Sequence, residues 1–407
     1  MTAKKPKSAA LPTLSLKRGE ERRLRAGHCW VFSNEVDIEK TPLKGFQPGD
    51  PVLIEAANGK PVGSGYVNPH SLISARLISR DPQRTLDTVL IAERLETALA
   101  LRQRYYPEPF HRLVFGESDG LPGLVVDRFG DHLVAQITTA GMERARDAVV
   151  EALTQVIKPT ALLWRNDSAI RELEGLDRYV QTALGDFPAQ VEVQENGCRF
   201  QTDPGTGQKT GWFFDHRENR ARLARHAQGA RVLDLFSYAG GWGIQAAVAG
   251  ARQVICVDAS QAALELAGDN AERNGVVERC EFLKGDAFDV LAHLRHEQQR
   301  FDIVVLDPPA FIKRRKDQKA GEEAYRRLNQ AALQLIEPGG LLFSASCSYH
   351  LERDKLVELM LRGARHLDRG LQVLEHGYQA PDHPIHPAIR ETAYLKAVLA
   401  RVLPGAW

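Results

Sequence analysis

The second half of the chain alternates between short apolar runs and amphipathic helix patterns. The apolar runs are bounded by polar or glycine-rich segments and lie near residues 231–236, 253–257, 280–284, 301–306 and 341–345. Runs of this length, separated by helices, are typical of strands that are buried on both faces. The alternation therefore predicts a parallel sheet with helices on both of its faces.

The first half of the chain has a different pattern, in which turn signals interrupt the apolar runs. Residues 12–84 contain frequent Gly, Pro and Asn turns, which predict a small β-barrel domain. Residues 85–190 predict a linker helix and an α+β middle domain, with elements near 86–106 (helix), 113–137 (hairpin), 142–157 (helix) and 161–164 (strand). We expect a disordered tail at 1–11, and an α/β domain at 191–407 that opens with a hairpin at 191–214.

Composition narrows the class of protein. A chain of 407 residues suggests two or three domains, and 53 basic against 52 acidic residues give a formal net charge of +1. This balance excludes a uniformly basic coat for nucleic acid but permits local basic patches. No apolar run reaches the length of a membrane span, and the N-terminus has no signal-peptide core. Five scattered cysteines favour a reducing cytoplasm and argue against a zinc site or disulfides.

A glycine-rich turn follows the first strand of the α/β half, at Gly240, Gly241 and Gly243. The plainest interpretation is a strand-to-helix turn whose glycines allow close packing. The spacing from Gly241 to Ala246 also fits a permissive dinucleotide pattern, which would indicate NAD. Against NAD, Asp234 places a carboxylate in the first strand, aimed at the turn, where a cationic ligand suits it better than a pyrophosphate.

An acid followed by two prolines ends the fourth strand of this half. Asp307, Pro308 and Pro309 lie where open α/β sheets bind ligands, at the carboxyl ends of the strands. The turn and this motif together resemble the Rossmann-like SAM-dependent methyltransferases. That resemblance implies a mostly parallel seven-stranded α/β sheet and S-adenosyl-L-methionine (SAM) as the cofactor. It also implies a set of cofactor-binding residues: Asp234, Phe236, Ser237, Tyr238, Gly240, Gly243, Asp258, Asp286 and Ala287.

The segment 208–220 leads into the α/β domain. It resembles the Q-x-T-G-F-F-x-D-x-R-x-N-R segment of large-subunit rRNA methyltransferases. The resemblance implies that the segment closes over the cofactor, with Lys209 and Arg217 among the binding residues. A structural interpretation is also open, because Asp215 and Glu218 have the spacing of a helix capping box.

The N-terminal β-rich region resembles a PUA domain, a small RNA-binding barrel. The matching segments are residues 25–32, 48–53, 63–66 and 71–76. A basic edge that can meet phosphates is formed by Arg18, Arg22, Arg23 and Arg25. The alternative is a solvated turn balanced by Glu20 and Glu21.

Cys347 follows the fifth strand in a Ser-Cys-Ser sequence, at the same edge as Asp307. The sequence resembles the [ST]-C-S motif of RNA cytosine-5 methyltransferases, in which the cysteine is the nucleophile. Cytosine C5 is a poor nucleophile, and a thiolate added at C6 turns the ring into an enamine that can accept a methyl group. Asp307 would then bind the cytosine edge, and Phe311 would stack on the flipped base. The alternative is a small, buried strand-end cysteine.

The motifs together resemble the large-subunit rRNA methyltransferase I family across nearly the whole chain. This implies cytosine-5 methylation of bacterial large-subunit rRNA, with substrate-binding residues Pro308, Pro309, Phe311, Lys313, Arg314 and Arg315. One departure is Ala310, where many RNA cytosine-5 enzymes carry a second cysteine that helps to release the product. Three alternatives remain open: methylation of a guanine or adenine nitrogen by the same fold, an NAD-dependent oxidoreductase, and a non-catalytic RNA-binding protein.

Two histidines, His383 and His386, lie three residues apart between the last two predicted strands. Without a cysteine or a third histidine nearby, they indicate a proline-stiffened loop rather than a metal site. We therefore expect no metal.

Overall fold

The computed structural model describes residues 11–405, which form two compact units. The first unit comprises the chain up to Ala189 together with Pro204–Thr210 and Pro384–Thr392. The second comprises Gln190–Asp203, Gly211–His383 and the chain from Ala393 onward. Except for Leu11, the predicted disordered tail lies outside the described residues. The predicted domain boundaries after residues 84 and 190 stay predictions.

The N-terminal part of the first unit is a small sheet. Its elements are β1 (Thr13–Ser15), α1 (Glu21–Arg25), β2 (Trp30–Phe32), β3 (Asp50–Glu55), β4 (Pro61–Val67) and β5 (Ile73–Ser79). The five strands are ordered β1-β3-β4-β5-β2. On β3, Val52 and Ile54 are fully buried, whereas Pro51 is exposed and Leu53 is partly exposed, which is the alternation of a strand with one apolar face.

The remainder of the first unit is a second five-stranded sheet with helices. Its elements are α2 (Thr88–Tyr105), β6 (Phe110–Phe115), β7 (Leu124–Phe129), β8 (His132–Ile137), α3 (Ala140–Arg144), α4 (Arg146–Val156), β9 (Ala161–Asn166) and β10 (Tyr179–Leu184). The strand order is β10-β9-β8-β7-β6. The single helix predicted at 142–157 is wrong, because the backbone leaves the helical region at Ala145. Tertiary contacts outweigh the helix pattern there: Glu143 accepts hydrogen bonds from Arg171 (2.9 Å) and Tyr179 (2.8 Å).

Two aspartates of this second sheet region are neutralised by arginines. Asp119 lies in a short 3-10 turn and pairs with Arg102 at 2.6 Å. Asp127 lies within β7 and pairs with Arg112 at 2.7 Å. Both aspartates therefore have a structural role, Asp119 in its turn and Asp127 inside its strand.

The second unit opens with a hairpin and a helix, followed by the α/β sheet. The hairpin and helix are β11 (Val191–Glu195), β12 (Cys198–Thr202) and α5 (Arg217–Ala224). The α/β elements are β13 (Arg231–Leu235), α6 (Gly241–Val248), β14 (Gln253–Asp258), α7 (Gln261–Arg273), β15 (Cys280–Lys284), α8 (Ala287–His296), β16 (Phe301–Leu306), α9 (Gln318–Leu333), β17 (Ile336–Ser346), α10 (Arg353–Arg365), β18 (Gly370–Gly377) and β19 (Lys396–Leu403).

The seven strands are ordered β15-β14-β13-β16-β17-β19-β18, and β19 alone runs in the direction opposite to the other six. The central strands are buried along nearly their whole length, as continuous apolar runs require. This confirms the predicted α/β class with a mostly parallel seven-stranded sheet. None of the helices within residues 11–405 is both long enough and apolar enough to cross a membrane.

Candidate active site

Three neighbouring parallel strands end at one edge of the seven-stranded sheet. In the pairing register, Leu235 of β13 lies opposite Leu306 of β16, which in turn lies opposite Ser344 of β17. The glycine-rich turn follows β13, and Asp307 follows β16. Cys347 directly follows β17. The edge therefore brings together the turn, the Asp-Pro-Pro motif and the cysteine.

The turn after β13 has an unusual backbone. Phe236 and Tyr238 have positive φ angles of 64° and 48°, and Gly240 has one of 81°. Such a conformation costs a non-glycine residue on the order of 1–3 kcal/mol, and it is often found at ligand sites. Asp258 supports the turn, because its Oδ2 accepts a hydrogen bond from the Tyr238 N–H (2.9 Å) and its Oδ1 accepts one from the Ser260 N–H (2.9 Å). Its carboxylate oxygens retain further lone pairs for a ligand.

Asp234 is fully buried in β13 and only partly hydrogen-bonded. Its Oδ2 accepts a hydrogen bond from the Gly243 N–H (2.9 Å), whereas its Oδ1 has no partner among residues 11–405. Burial raises the pKa of Asp234 to about 8; the Gly243 N–H opposes that shift, and the charges of Asp307 and Asp258 add to it. The buried Ser237 hydroxyl, in the adjoining turn, also lacks a partner within the described part of the chain. These two polar groups fit a cofactor that carries positive charge and hydrogen-bonding groups, as SAM does.

Gly243 is needed for packing. A Cβ at this position would lie 2.6 Å from Cys256 Sγ and 2.9 Å from a methyl of Val254, both on β14. The glycine thus lets α6 approach the sheet closely, which agrees with the plain structural interpretation of this position. Gly240 instead serves the backbone, since its φ of 81° is one that glycine adopts without strain.

Asp307 is held by two side chains that no sequence motif identified. Trp242 Nε1 donates to Oδ2 (3.0 Å), and His216 Nε2 lies 3.2 Å from Oδ1. Burial alone would raise the pKa of Asp307, but the charge and hydrogen bond of His216 and the hydrogen bond of Trp242 outweigh it and lower the pKa. The carboxylate is 24 % exposed. Pro308 is buried and Pro309 is exposed.

Arg217, predicted to bind the cofactor, lies in a buried cluster around Glu195. Arg220 Nε donates to Glu195 Oε1 (2.6 Å), Trp212 Nε1 donates to Oε2 (3.0 Å), and Arg217 Nε lies 3.6 Å from Oε2. Burial would raise the pKa of Glu195, but the two arginines and the Trp212 hydrogen bond lower it. The cluster fixes the start of α5, so the position of Arg217 is explained by folding, and its role toward the cofactor stays a prediction.

The capping box proposed for the same segment is wrong. The helix begins at Arg217, its N-cap is His216, and no side-chain capping bond is made there. Asp215 lies in the preceding 3-10 turn and accepts a hydrogen bond from the hydroxyl of Tyr394, which is 179 residues further along the chain. Lys209 lies in Pro204–Thr210, a segment of the first unit, and its predicted role is untested.

Cys347 is half-buried in a turn that side-chain hydroxyls hold in place. The hydroxyl of Ser346, just before it, donates to the Tyr325 hydroxyl (2.8 Å), which is hydrogen-bonded to the hydroxyl of Ser348, just after it (2.9 Å). The Phe311 ring packs on the Tyr325 ring with centroids 4.8 Å apart. One network therefore links the cysteine turn to the Asp-Pro-Pro loop.

The remaining predicted residues lie around this edge. Asp286 is exposed and caps α8 by accepting a hydrogen bond from the Phe288 N–H (2.8 Å), and Ala287 is buried in the core. Lys313, Arg314 and Arg315 are exposed in the loop after β16, where Arg314 pairs with Asp317 at 3.2 Å.

The histidine-containing loop lies between β18 and β19. His383 Nδ1 is 2.8 Å from Asp382 Oδ1, and both side chains are buried. Within residues 11–405, no group of three or more His, Cys, Asp and Glu side chains could hold a metal ion.

Comparisons with known proteins agree with this geometry. Residues 154–401 match the S-adenosylmethionine-dependent methyltransferase family, and residues 14–80 match the PUA-like domain. The ribosomal RNA large subunit methyltransferase I of Erwinia tasmaniensis is 37% identical over 399 residues, which cover 96% of this chain and 99% of that protein. A solved Streptococcus mutans protein assigned to the SAM-dependent methyltransferases has a TM-score of 0.81 at 20% identity, covering 96% of this chain and 100% of its own. A second solved methyltransferase chain, crystallised with SAH, has the same TM-score, identity and coverage.

Proposed function

Because the chain belongs to the ribosomal RNA large subunit methyltransferase I family, whose methyltransferase domain uses SAM, we propose that it methylates C5 of a cytosine in large-subunit rRNA through a covalent adduct with Cys347. The family match removes the NAD-dependent oxidoreductase as an alternative. The observation that carries the proposal is the position of Cys347, half-buried on the sheet edge that also holds Asp307 and the glycine turn. The substrate of the relatives and the scattered cysteines support a cytoplasmic location.

The proposed chemistry needs a nucleophile at C6. The Cys347 thiolate forms an S–C6 bond, and the electron pair of the C5–C6 double bond moves toward C5. SAM supplies the methyl group that C5 then takes. Loss of the C5 proton to a base and elimination of the thiolate restore the aromatic ring, so the cysteine leaves the cycle unchanged. A cysteine suits this step because a few per cent of an ordinary thiol is already thiolate at pH 7.

Asp307 would orient and polarise the base. Its lowered pKa keeps it ionised at neutral pH, and its carboxylate is partly exposed at the edge. An ionised carboxylate can accept hydrogen bonds from the amino group and a protonated ring nitrogen of cytosine. His216 and Trp242 hold it from the protein side, which limits its motion. Phe311 is half-buried against Tyr325 and would stack on the base.

RNA would be held by surfaces away from the reacting atoms. In the PUA-like domain, Arg18, Arg22 and Arg25 are exposed, whereas Arg23 is paired with Glu35 at 2.6 Å. We therefore assign phosphate binding to the first three arginines and a structural role to Arg23. Lys313, Arg314 and Arg315 are exposed, and we propose that they bind phosphates flanking the target.

A nitrogen-methylating enzyme is the second candidate. It is favoured by Asp307 itself, because a fixed, ionised carboxylate beside two prolines also serves to hold the amino group of guanine or adenine. Methylation of nitrogen needs a positioned lone pair and no thiolate. The two candidates therefore differ in their need for Cys347.

A substitution with a trapping substrate separates them. Wild-type protein should form a covalent adduct with rRNA that carries 5-fluorocytosine, because fluorine cannot leave as a proton does. Cys347→Ala should form no adduct, and its methyl transfer from labelled SAM should fall by roughly 10⁴-fold or more. Cys280→Ala, which changes a half-buried cysteine at the start of β15, is the matched control and should retain activity. A Cys347→Ala protein that keeps most of its activity would overturn the cytosine-5 assignment in favour of nitrogen methylation.

A further inference from the structure

A buried lysine lies against the cysteine turn. Lys396 is the first residue of β19, is 7 % exposed, and lies opposite Ser346 in the β17–β19 register. Its ammonium donates to the Ser348 backbone carbonyl (2.6 Å) and to the Tyr394 backbone carbonyl (2.8 Å). The lysine thus contacts the cysteine turn on the strand side and on the loop side of Cys347.

The surroundings of this ammonium leave its charge unneutralised. Both of its hydrogen bonds go to uncharged backbone carbonyls, and Lys396 takes part in none of the ion pairs found within residues 11–405. Burial lowers its pKa to about 8, Glu352 and Cys347 oppose that shift, and Arg353 adds to it. Glu352 and Arg353 lie at the start of α10, and the Tyr325 hydroxyl faces the cysteine turn from α9. A buried charge without a counter-ion is costly, so its presence here calls for a role.

We propose that Lys396 is a positioning residue that fixes the Ser346–Ser348 turn and supplies the positive charge that stabilises the Cys347 thiolate. The proposal rests on the proposed function, in which that thiolate is the nucleophile. A neighbouring cation makes thiolate formation easier, and reactive cysteines are typically found in such surroundings. Lys396 would act through Cys347 and would make no contact with the reacting base.

The charge of Lys396 sets the pH range of this effect. With a pKa of about 8, the side chain is mainly protonated at pH 7 and loses its charge as the pH rises through 8. Thiolate stabilisation is therefore largest at and below neutral pH, where an ordinary thiol is hardly ionised. Above pH 9, wild-type protein and a neutral variant should converge.

The test measures the alkylation rate of Cys347 by iodoacetamide from pH 6 to 10, followed by mass spectrometry of the peptide that contains it. Lys396→Gln keeps a hydrogen-bond donor but removes the charge. The alkylation rate of Cys347 in this variant should fall roughly tenfold at pH 7, because its pH dependence shifts upward by about one unit. Lys396→Arg keeps the charge and should remain near wild type. Lys355→Met removes a surface lysine of α10 that pairs with Glu358 and should change nothing.

The outcomes separate the inference from the function. A Lys396→Gln profile that matches wild type overturns the role of the charge, as does an equal loss in Lys396→Gln and Lys396→Arg. If Lys396→Gln does not fold, the wild-type protein is compared in its folded and its unfolded state. An alkylation rate of Cys347 with the same pH dependence in both states would show that folding does not stabilise the thiolate, and would overturn the proposal. Adduct formation with 5-fluorocytosine RNA is measured separately. Its absence from wild-type protein rejects the proposed function, whereas the alkylation profile still tests the lysine.

Discussion

Asp127 and Asp234 are two fully buried aspartates that each lie within a strand, yet their partners differ completely. Asp127, in β7, accepts hydrogen bonds from Arg112 Nε (2.7 Å) and Nη2 (2.8 Å) and from the Thr210 hydroxyl. Asp234, in β13, accepts one from the Gly243 N–H, and its second oxygen has no partner within residues 11–405. The same residue type at the same burial is paired with an arginine in one unit and has no cation partner in the other.

A cation partner distinguishes a buried acid that stabilises the fold from a buried acid that binds a ligand. Folding alone favours a buried carboxylate with a matched cation, because each oxygen then has its hydrogen bonds. Asp234 lacks such a cation, and burial raises its pKa instead. It also lies near the sheet edge at which α/β proteins bind ligands. We therefore expect substitutions around Asp127 to affect stability and substitutions around Asp234 to affect cofactor binding.

The largest effect is expected from breaking the pair in the first unit. Arg112→Met leaves the Asp127 carboxylate buried without its cation and should destabilise the protein by about 3–5 kcal/mol. Urea unfolding of the full chain at pH 7 measures this. The double variant Arg112→Met/Asp127→Asn also removes the charge of the unpaired carboxylate, and it should recover much of the lost free energy of unfolding. If the free energy of unfolding of Arg112→Met lies within about 1 kcal/mol of the wild-type value, the pair has no structural role.

Next in size is the loss of SAM binding in Asp258→Ala. Hydrogen bonds to a charged acceptor contribute roughly 1.5–3 kcal/mol each, which corresponds to about a tenfold to hundredfold loss of affinity for each one. Titration calorimetry with SAM measures the change. Asp258 also supports the Tyr238 N–H, so Asp258→Asn, which keeps an acceptor there, is the control for the shape of the turn. Unchanged affinity in the alanine variant would remove Asp258 from the site.

Asp234→Asn should have a smaller effect on affinity, about tenfold, because the amide oxygen still accepts from the Gly243 N–H. Its effect on the pH dependence of stability is more diagnostic. The pKa of Asp234 is raised from 3.8 to about 8, so the folded protein holds a proton that the unfolded chain has lost. The resulting stabilisation is complete below about pH 4 and disappears as the pH rises through 8.

Urea unfolding without SAM, repeated between pH 5 and 8.5, measures that dependence. Wild-type stability should fall with rising pH, and Asp234→Asn should show a flatter profile than the wild type. Parallel profiles would mean that Asp234 is ionised in the folded protein, which would contradict its raised pKa.

The smallest effect is expected in the exposed loop after β16. Neutralising Lys313, Arg314 and Arg315 should weaken RNA binding and reduce its salt dependence by roughly 0.7–0.9 for each lost phosphate contact. SAM affinity should not change, because these side chains are exposed and lie outside the glycine turn. An unaltered salt slope would make this loop a solvated surface balanced by its own acids, such as Asp317.

Much of the fold was predictable because its signals are local. A parallel strand buried on both faces must be apolar throughout, so the runs at 231–236 and 301–306 identify their strands directly. Parallel strands end at one edge, so the positions of Asp307 and Cys347 just after two such strands were enough to predict that they lie together. The PUA-like and methyltransferase parts are confirmed by the family matches.

The features that the sequence did not reveal depend on long-range contacts. The Asp215 carboxylate bonds to Tyr394 instead of capping a helix, and no local pattern indicates a partner so distant in the chain. His216 lies inside a segment that resembles the family, but its contact with Asp307 needs the folded sheet edge. Lys396 has the pattern of an ordinary strand residue, and only the antiparallel pairing with β17 places it beside the cysteine turn.

The segments Pro204–Thr210 and Pro384–Thr392 belong to the first unit although most of the chain around them belongs to the second. During synthesis, residues 11–189 emerge from the ribosome long before Pro384–Thr392 does. The first unit is therefore still incomplete when most of the strands of the large sheet have already emerged. Its final assembly must wait for the distal segment, so a stalled or prematurely terminated nascent chain would expose the uncovered surfaces to chaperones and proteases.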